Sequence, residues 1–360
     1  MALTKIQFAP GVNKEGTEYS ADSGWFDSDK VRFRKGRPEK IGGWRKLTEN
    51  FFLGICRSIH DWASLDSLKY IGLGTNLKFY ITEGNNFNDV TPIRLTTSAG
   101  DVTFAAVNGS SILTVTDTAH GAVANDFVTY TDAATLGGNI TALVLNQEYE
   151  IVSIPTVNTY TITAKDTDGN AVTANASDSG NGGSSTVGAY QINTGLNTFV
   201  NGTGWGAGTW GSGGWGSSSA VSDAGQLRLW NQDNFGEDLL LNIRGGGIFY
   251  WDESSGTGTR AVNITSLGGA SNAPTVALQI MVSDTDQHVI AFGTNPIGSS
   301  NIDPLFVRFS DQENVADWTP TSTNSAGGVR INSGSLIVGA VQTRQEILIW
   351  TDVSLHPMRF

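Results

Sequence analysis

The sequence predicts an all-β protein: a β-propeller that is incomplete in this chain, with an inserted small β-barrel or sandwich domain and an extended N-terminal arm. The composition supports this fold class, because 44 of the 360 residues are glycine and only 16% are charged, well below the usual quarter or so. Apolar strand-turn-strand segments also recur. The last three begin roughly 50 residues apart, a spacing typical of four-stranded propeller blades.

The repeated segments lie at 68–81, 239–252, 288–309 and 346–360. Each has an apolar strand, a turn containing Gly or Asp, and a second apolar or aromatic strand. A propeller must close, because an open edge strand invites mispairing. We therefore expect either further blades beyond residue 360 or closure by another polypeptide, and we favour the first.

The segment 95–188 differs from the repeated units and predicts a separate small β domain. It is rich in Thr, Val, Ala, Asn and Gly and has almost no basic residues. Short strands are predicted at 112–116, 127–130, 148–152 and 159–163, between clusters of turn residues.

The predicted domain organisation has five parts along the chain. They are an extended arm (1–50), a first blade region (51–94), the inserted β domain (95–188), a Gly/Trp-rich connector (189–225) and further blades (226–360).

Three tryptophans, Trp205, Trp210 and Trp215, recur every five residues in the Gly-rich segment 202–216. A helix repeats at about 3.6 residues and a strand at about 2, so this period fits neither. Exposed indoles on a loop would be a liability. We predict an ordered connector whose indoles pack between domains or subunits; a plain Gly/Ser linker is the alternative.

The charge distribution is uneven. The whole chain has a net charge of −12, but residues 1–60 hold 11 basic and 7 acidic residues, so the rest carries −16. An acidic chain is not expected to grip nucleic acid. A basic arm on an acidic body suggests that the arm contacts an acidic partner, and simple solvated charge is the alternative. The candidate interaction residues are Lys30, Arg32, Arg34, Lys35, Arg37, Lys40 and Trp44. Charged residues alternate with Val31 and Phe33 in this segment, which predicts a strand that reaches a turn at Gly36–Pro38.

No pattern for catalysis, metal binding or cofactor binding stands out, so we expect a protein that is not an enzyme. The four histidines lie 60, 168 and 68 residues apart, without zinc-ligand spacing. The segment 166–170 lacks EF-hand spacing and predicts a hairpin turn. The segment 310–318 is similar to the Asp-box of sialidase propellers, without its glycine, and is interpreted as a polar loop with Trp318 packed against a blade. The glycines at 72–74 and 245–247 are interpreted as hairpin turns.

The single cysteine, Cys56, excludes an intrachain disulfide and is interpreted as a small core residue. The N-terminus has no apolar segment typical of a secretory signal. No run of about 18 apolar residues exists, so no membrane span is expected.

Several segments together resemble the hub or nozzle proteins of short-tailed bacteriophages, also called tail tubular protein B or tail stabilization proteins. The resemblance covers most of the chain outside 95–188. Its segments are 10–14, 24–34, 36–44, 204–210, 234–240, 244–252, 307–313, 317–320 and 339–351.

The resemblance implies a structural virion protein, made in the host cytoplasm and assembled in the tail as a ring of six below the portal and adaptor. Its expected partners are further copies of itself, the adaptor, tail fibres or spikes, and double-stranded DNA passing without sequence preference through the lumen. The alternative function is a carbohydrate-binding or glycosidase-like propeller acting as a receptor-binding adhesin. Trp205, Trp210, Trp215 or Trp318 would then be the sugar platforms.

Overall fold

The structure is a computed structural model that describes residues 9–20, 24–43, 45–46, 48–176, 182–195 and 227–359. These residues form 25 strands, one short α-helix, α1 (Ala142–Leu145), and three 3-10 helices. The all-β class predicted from the sequence is therefore confirmed. The chain divides into two compact units, residues 1–49 and residues 50–360.

The first unit contains a two-stranded antiparallel hairpin, β1 (Val31–Arg34) and β2 (Arg37–Lys40). A single 3-10 turn precedes it at Glu18–Ser20. The backbone N–H of Asn13 donates to the carbonyl of Trp25 (2.9 Å), which joins two segments that lie before the hairpin.

The second unit begins with sheet 1, a four-stranded antiparallel meander. Its strands are β3 (Cys56–Ala63), β4 (Lys69–Thr75), β5 (Phe79–Glu83) and β6 (Asn86–Asp89). Neighbours in the sheet are neighbours in the chain, which is the connectivity of a propeller blade.

The chain then forms a two-sheet sandwich, here called the insert. One sheet has the order β11-β10-β14-β7 and the other β12-β13-β9-β8. The strands are β7 (Ile93–Thr96), β8 (Thr103–Ala106), β9 (Ile112–Thr116), β10 (Phe127–Thr131), β11 (Glu148–Glu150), β12 (Ser153–Thr156), β13 (Thr159–Thr163) and β14 (Val187–Gln191).

Three more meanders follow the insert. Sheets 2 and 3 have four strands and sheet 4 has three. Sheet 2 contains β15 (Trp230–Phe235), β16 (Asp238–Ile243), β17 (Ile248–Trp251) and β18 (Val262–Asn263). Sheet 3 contains β19 (Ala277–Val282), β20 (Val289–Thr294), β21 (Asp303–Phe309) and β22 (Gly327–Arg330). Sheet 4 contains β23 (Ile337–Gln342), β24 (Ile347–Thr351) and β25 (Leu355–Met358). Two short 3-10 helices, Glu253–Ser255 and Ile264–Ser266, accompany sheet 2.

Consecutive sheets pack face to face, and a separate apolar cluster fills each space between them. Phe79 of sheet 1 lies in one cluster with Leu239 of sheet 2. Leu240 of sheet 2 shares a second cluster with Ile280 of sheet 3. A third cluster joins sheets 3 and 4. The first strands of the sheets, β3, β15, β19 and β23, contact one another in that order. This side-by-side series of antiparallel meanders is the propeller arrangement.

Polar side chains also join the first strands of neighbouring sheets. One such residue is Gln279, whose side-chain amide bonds to both the N–H and the C=O of Ala340, as the backbone of a neighbouring strand would. The contacts are Gln232 Nε2 to Ser58 Oγ (2.8 Å), Val282 N to Asp233 Oδ2 (2.7 Å), and Gln279 to both the N–H and the C=O of Ala340 (2.9 Å each).

Two glycines in β4 allow sheet 2 to approach sheet 1 closely. Their interpretation as a hairpin turn is wrong, because Gly72 and Gly74 pair with β3 and β5 inside the strand. A Cβ at Gly74 would lie 2.5 Å from the indole ring of Trp230. The same indole donates its N–H to the carbonyl of Thr75 (2.7 Å). Glycine is therefore required here by packing.

The insert has its own core between its two sheets. Three buried tyrosines in this core form a chain of hydroxyl hydrogen bonds: Tyr130 to Tyr160 (2.5 Å) and Tyr160 to Tyr190 (2.8 Å). The Tyr190 hydroxyl donates to Asp117 (2.6 Å). Burial raises the pKa of all three hydroxyls, so they remain protonated donors at neutral pH.

The insert leaves and rejoins the propeller at one place. The N–H of Ile192, just after β14, donates to the carbonyl of Pro92, just before β7 (3.0 Å). The two connecting segments therefore lie side by side.

Candidate interaction surfaces

The predicted basic interaction site lies on the β1–β2 hairpin. Its two turn residues, Lys35 and Gly36, have φ values of 48° and 75°, which a two-residue type I′ hairpin turn requires. The turn predicted at Gly36–Pro38 is therefore displaced. Arg37 already pairs with Arg34, and Pro38 with Phe33. Proline fits there because a two-stranded ribbon leaves outward-facing backbone positions that need no N–H donor.

The register gives the hairpin two different faces. Directly opposed residues share a face, and side chains alternate along each strand. One face is basic and carries Arg32, Arg34, Arg37 and Glu39; the other carries Val31, Phe33, Pro38 and Lys40. On the second face, the rings of Phe33 and Trp25 lie 6.1 Å apart.

The basic face is exposed and only partly neutralised. Arg32 Nε lies 3.2 Å from Glu39 Oε2, and Lys30 lies 3.7 Å from Asp29. Exposed pairs of this kind contribute about 0–1 kcal/mol. Among the residues that the structure describes, no carboxylate is within ion-pair distance of Arg34 or Arg37. These guanidinium groups can therefore bind an acidic partner without breaking a strong internal contact.

Four predicted interaction residues lie outside the described residues. They are Trp44 of the arm and Trp205, Trp210 and Trp215 of the connector. Their roles stay predictions.

The Asp-box-like segment forms a tightly hydrogen-bonded loop between β21 and β22. Trp318 has no exposed surface, so its interpretation as a sugar platform is wrong. Asp317 accepts hydrogen bonds from the Ser271 hydroxyl (2.7 Å) and the Thr319 N–H (3.0 Å). The hydrogen bond from Ser271 is the main cause that lowers the pKa of Asp317. The hydrogen bonds of Asp317 to Ser271 and Thr319 therefore hold the loop in place.

A buried arginine, Arg308, forms hydrogen bonds to the backbone of this loop and of two others. Arg308 is 1% exposed, and its guanidinium donates to the carbonyls of Asn295 (3.3 Å), Trp318 (3.4 Å) and Asn272. Burial lowers its pKa to about 10, so it remains charged at neutral pH. Arg308 therefore ties three loops of sheet 3 together through backbone carbonyls.

A cluster of charged side chains joins the insert to sheets 1 and 2. We call Lys78, Asp89, Glu148 and Arg260 the junction cluster. Lys78, only 2% exposed, lies 2.7 Å from Asp89 and 2.5 Å from Glu148 of the insert. Arg260, which lies just before β18, contacts Asp89 (3.2 Å) and Glu148 (3.5 Å).

Two cations and two carboxylates make the junction cluster neutral. Burial alone would raise the pKa of Asp89, but Lys78 and Arg260 outweigh that effect and hold it below its usual value. Gln191 of β14 adds a hydrogen bond to Glu148 (2.6 Å). Sequence analysis missed this cluster because its members are far apart in the chain and match no short motif.

The histidines contact ordinary structural partners. His288 Nδ1 lies 2.8 Å from the carbonyl of Ser310, and His60 Nε2 lies 2.5 Å from Asn234 Oδ1. Within the described part of the chain, no group of three or more His, Cys, Asp or Glu side chains is arranged to hold a metal ion. The described helices include none with the length and apolar character of a membrane span.

Comparison with known proteins gives little similarity. No family model matches the chain, and no curated protein matches it. Among solved structures, it is similar to the phage phi92 endosialidase, with a TM-score of 0.23 and 11% sequence identity. The match covers 87% of this chain and 43% of that protein, so this chain spans less than half of its length.

Proposed function

We propose that this chain is a non-catalytic structural subunit of a bacteriophage tail, assembled with further copies into the hub or nozzle ring below the portal and adaptor. The observation that carries the proposal is the β1–β2 hairpin. It presents Arg32, Arg34 and Arg37 on one face, in a compact unit separate from the acidic remainder of the chain. Such a hairpin suits an acidic surface on the adaptor or on a neighbouring copy.

The charge of the remainder suits the proposed passage of DNA. Residues 61–360 carry a net charge of −16. A lumen lined by such a surface repels phosphate groups, so double-stranded DNA would slide rather than bind. The proposed location is accordingly the virion tail.

The packing of the sheets also suits a load-bearing subunit. Three apolar clusters and a polar contact between each pair of first strands fix every sheet to the next. The junction cluster holds the insert on this framework.

The test is a charge reversal on the hairpin. The variant Arg32→Glu/Arg34→Glu/Arg37→Glu should no longer attach to capsids that carry portal and adaptor, as measured by co-sedimentation and negative-stain electron microscopy. The matched control, Arg32→Lys/Arg34→Lys/Arg37→Lys, keeps the charge and should attach normally. Normal tail attachment by the Glu variant would overturn the docking role.

The carbohydrate-binding alternative is separated by a second measurement. Specific binding of the isolated chain to a glycan array, or hydrolysis of a glycan, would favour an adhesin or glycosidase. Six-fold rings of the isolated chain in electron micrographs would favour the tail subunit.

A further inference from the structure

The register of the β1–β2 hairpin decides which backbone groups point away from it. At its open end, the Ile41 N–H donates to the carbonyl of Lys30 (2.8 Å). Opposed pairs along an antiparallel ribbon alternate between pairs that exchange hydrogen bonds and pairs that do not. Counting from the Lys30–Ile41 pair, every second residue of each strand therefore points its N–H and C=O away from the other strand.

The two edges of the hairpin differ because of one proline. On β1 the outward residues are Val31 and Phe33, and both carry an N–H and a C=O. On β2 the outward residues are Pro38 and Lys40, and proline has no N–H. Proline at a sheet edge is one of the devices that prevent a further strand from pairing there. The β2 edge is therefore blocked, and the β1 edge can accept a strand.

The outward groups of β1 are unpaired among the residues that the structure describes. β1 pairs with β2 alone, and the backbone of Val31 and Phe33 forms no other hydrogen bond there. The ring of Phe33 packs on Trp25 on the apolar face of the hairpin, which leaves Arg32 and Arg34 exposed on the basic face. A strand can thus pair with β1 without displacing a described backbone contact.

We propose that the β1 edge binds one extended segment of an acidic partner protein as a third strand, with acidic residues at every second position of that segment. This inference rests on the proposed docking role of the hairpin and specifies the form of the partner. The added strand would pair with the N–H and C=O groups of Val31 and Phe33. Its alternate side chains would lie beside Arg32 and Arg34, because neighbouring strands share their faces.

Charge disfavours two other occupants of the β1 edge. A second hairpin that added through its own β1 would bring arginine side chains together. The connector of the same chain contains no Asp or Glu over residues 196–222, so that segment offers no carboxylate to Arg32 or Arg34. An acidic segment of another protein is the occupant that charge complementarity favours.

The first test measures binding of the full chain to synthetic peptides by fluorescence anisotropy. The probe alternates Glu with Val, and the control has the same composition with all Glu residues in one block. The alternating peptide should bind about tenfold more tightly, because only alternation places every carboxylate on the face of Arg32 and Arg34. Equal binding of the two peptides would overturn the inference, since charge alone would then explain it.

Amide hydrogen exchange at single-residue resolution shows which edge is used. The bound probe should slow exchange at Val31 and Phe33 and leave Lys40 unchanged. Docking through the arginine side chains alone would protect neither edge, and that result would overturn the inference. Slow exchange at Val31 and Phe33 in the free chain would mean that the chain itself already covers the edge, which would also overturn it.

A proline substitution blocks the β1 edge directly. Val31→Pro removes an outward donor that the hairpin does not use, and it should weaken binding of the probe about fivefold, the effect of one hydrogen bond. Val31→Thr keeps the N–H and should bind like wild type. The N–H groups of Arg32 and Arg34 point toward β2, so their exchange reports whether the hairpin of Val31→Pro still forms. Wild-type affinity of a correctly formed Val31→Pro would overturn the inference.

Capsid attachment separates this inference from the proposed function. Loss of attachment in both Val31→Pro and Arg32→Glu/Arg34→Glu/Arg37→Glu would support strand addition. Loss in the Glu variant alone would overturn strand addition and leave the docking role intact. Normal attachment by both variants would overturn the docking role, and the peptide measurements would then decide separately whether the β1 edge binds acidic strands.

Discussion

The insert keeps its buried side chains between its own two sheets, whereas each propeller sheet shares its core with the sheets beside it. The insert core is one cluster that includes a hydrogen-bonded chain of tyrosines. The propeller has three smaller clusters, each built by two sheets. A defect in the insert should therefore remain local, and a defect between two sheets should be felt along the propeller.

Tryptophan fluorescence separates the two regions in experiment. All ten tryptophans lie outside residues 93–191. Unfolding followed by fluorescence therefore reports on the propeller, the connector and the arm, and amide hydrogen exchange within 93–191 reports on the insert.

The largest effect is expected for Trp230→Ala. The indole packs on Phe79 (5.0 Å between ring centroids) and fills the space above Gly74. Its loss should lower the free energy of propeller unfolding by about 4 kcal/mol, measured by urea titration of fluorescence. Val329→Ala, at an exposed site, should stay within about 0.5 kcal/mol. An equal loss of amide hydrogen-exchange protection in the insert would contradict the independence of the two regions.

Lys78→Ala should uncouple the two regions. The substitution removes the buried cation that pairs with Glu148 and Asp89. Removing one partner of a buried ion pair lowers the free energy of unfolding by about 3 kcal/mol. We expect the insert to unfold in a separate calorimetric transition at lower temperature. The exposed Lys69→Ala is the control. A single cooperative transition for Lys78→Ala would show that other contacts couple insert and propeller.

Gly74→Ala tests the closeness of sheets 1 and 2. The added Cβ would meet the rigid indole of Trp230 at 2.5 Å, and overpacking of this kind costs about 2 kcal/mol. Gly258→Ala has no heavy atom within 4 Å of the new Cβ and should be neutral. The melting temperature by fluorescence checks both. Equal stability of the two variants would mean that the sheets can move apart.

The smallest effect is expected for Tyr160→Phe in the insert. It removes the middle hydroxyl of the tyrosine chain and leaves Tyr130 without that partner. The expected loss is about 1 kcal/mol, seen in hydrogen exchange of residues 93–191 and absent from the fluorescence transition. Tyr19→Phe, at an exposed site, serves as the control. A shift of the fluorescence transition would break the proposed independence of the insert.

The sequence predicted the central strands better than the outer ones. The recurrent apolar segments correspond to the second and third strands of each sheet, such as β4 with β5 and β16 with β17. First strands such as β15 were missed because they carry Gln232 and Asn234, polar residues that contact a neighbouring sheet rather than water. A polar strand has no apolar period to detect.

Long-range electrostatic contacts could not be predicted either. Lys78, Glu148 and Arg260 meet only because three separate parts of the chain fold together. The basic strand was visible, because charged residues alternate with Val31 and Phe33 over residues 30–34. The predicted position of the turn was wrong, because it relied on Pro38 as a turn residue. The positive φ values of the turn fall on Lys35 and Gly36.

The side-by-side connections of the insert have a consequence for the choice of inserted domain. One hydrogen bond between Ile192 and Pro92 (3.0 Å) closes the gap between the two connecting segments. Any domain whose two ends lie that close could replace the insert without shifting the register of sheet 1. The propeller can thus accept a different domain at this point, provided that the new domain supplies a carboxylate for Lys78 in place of Glu148.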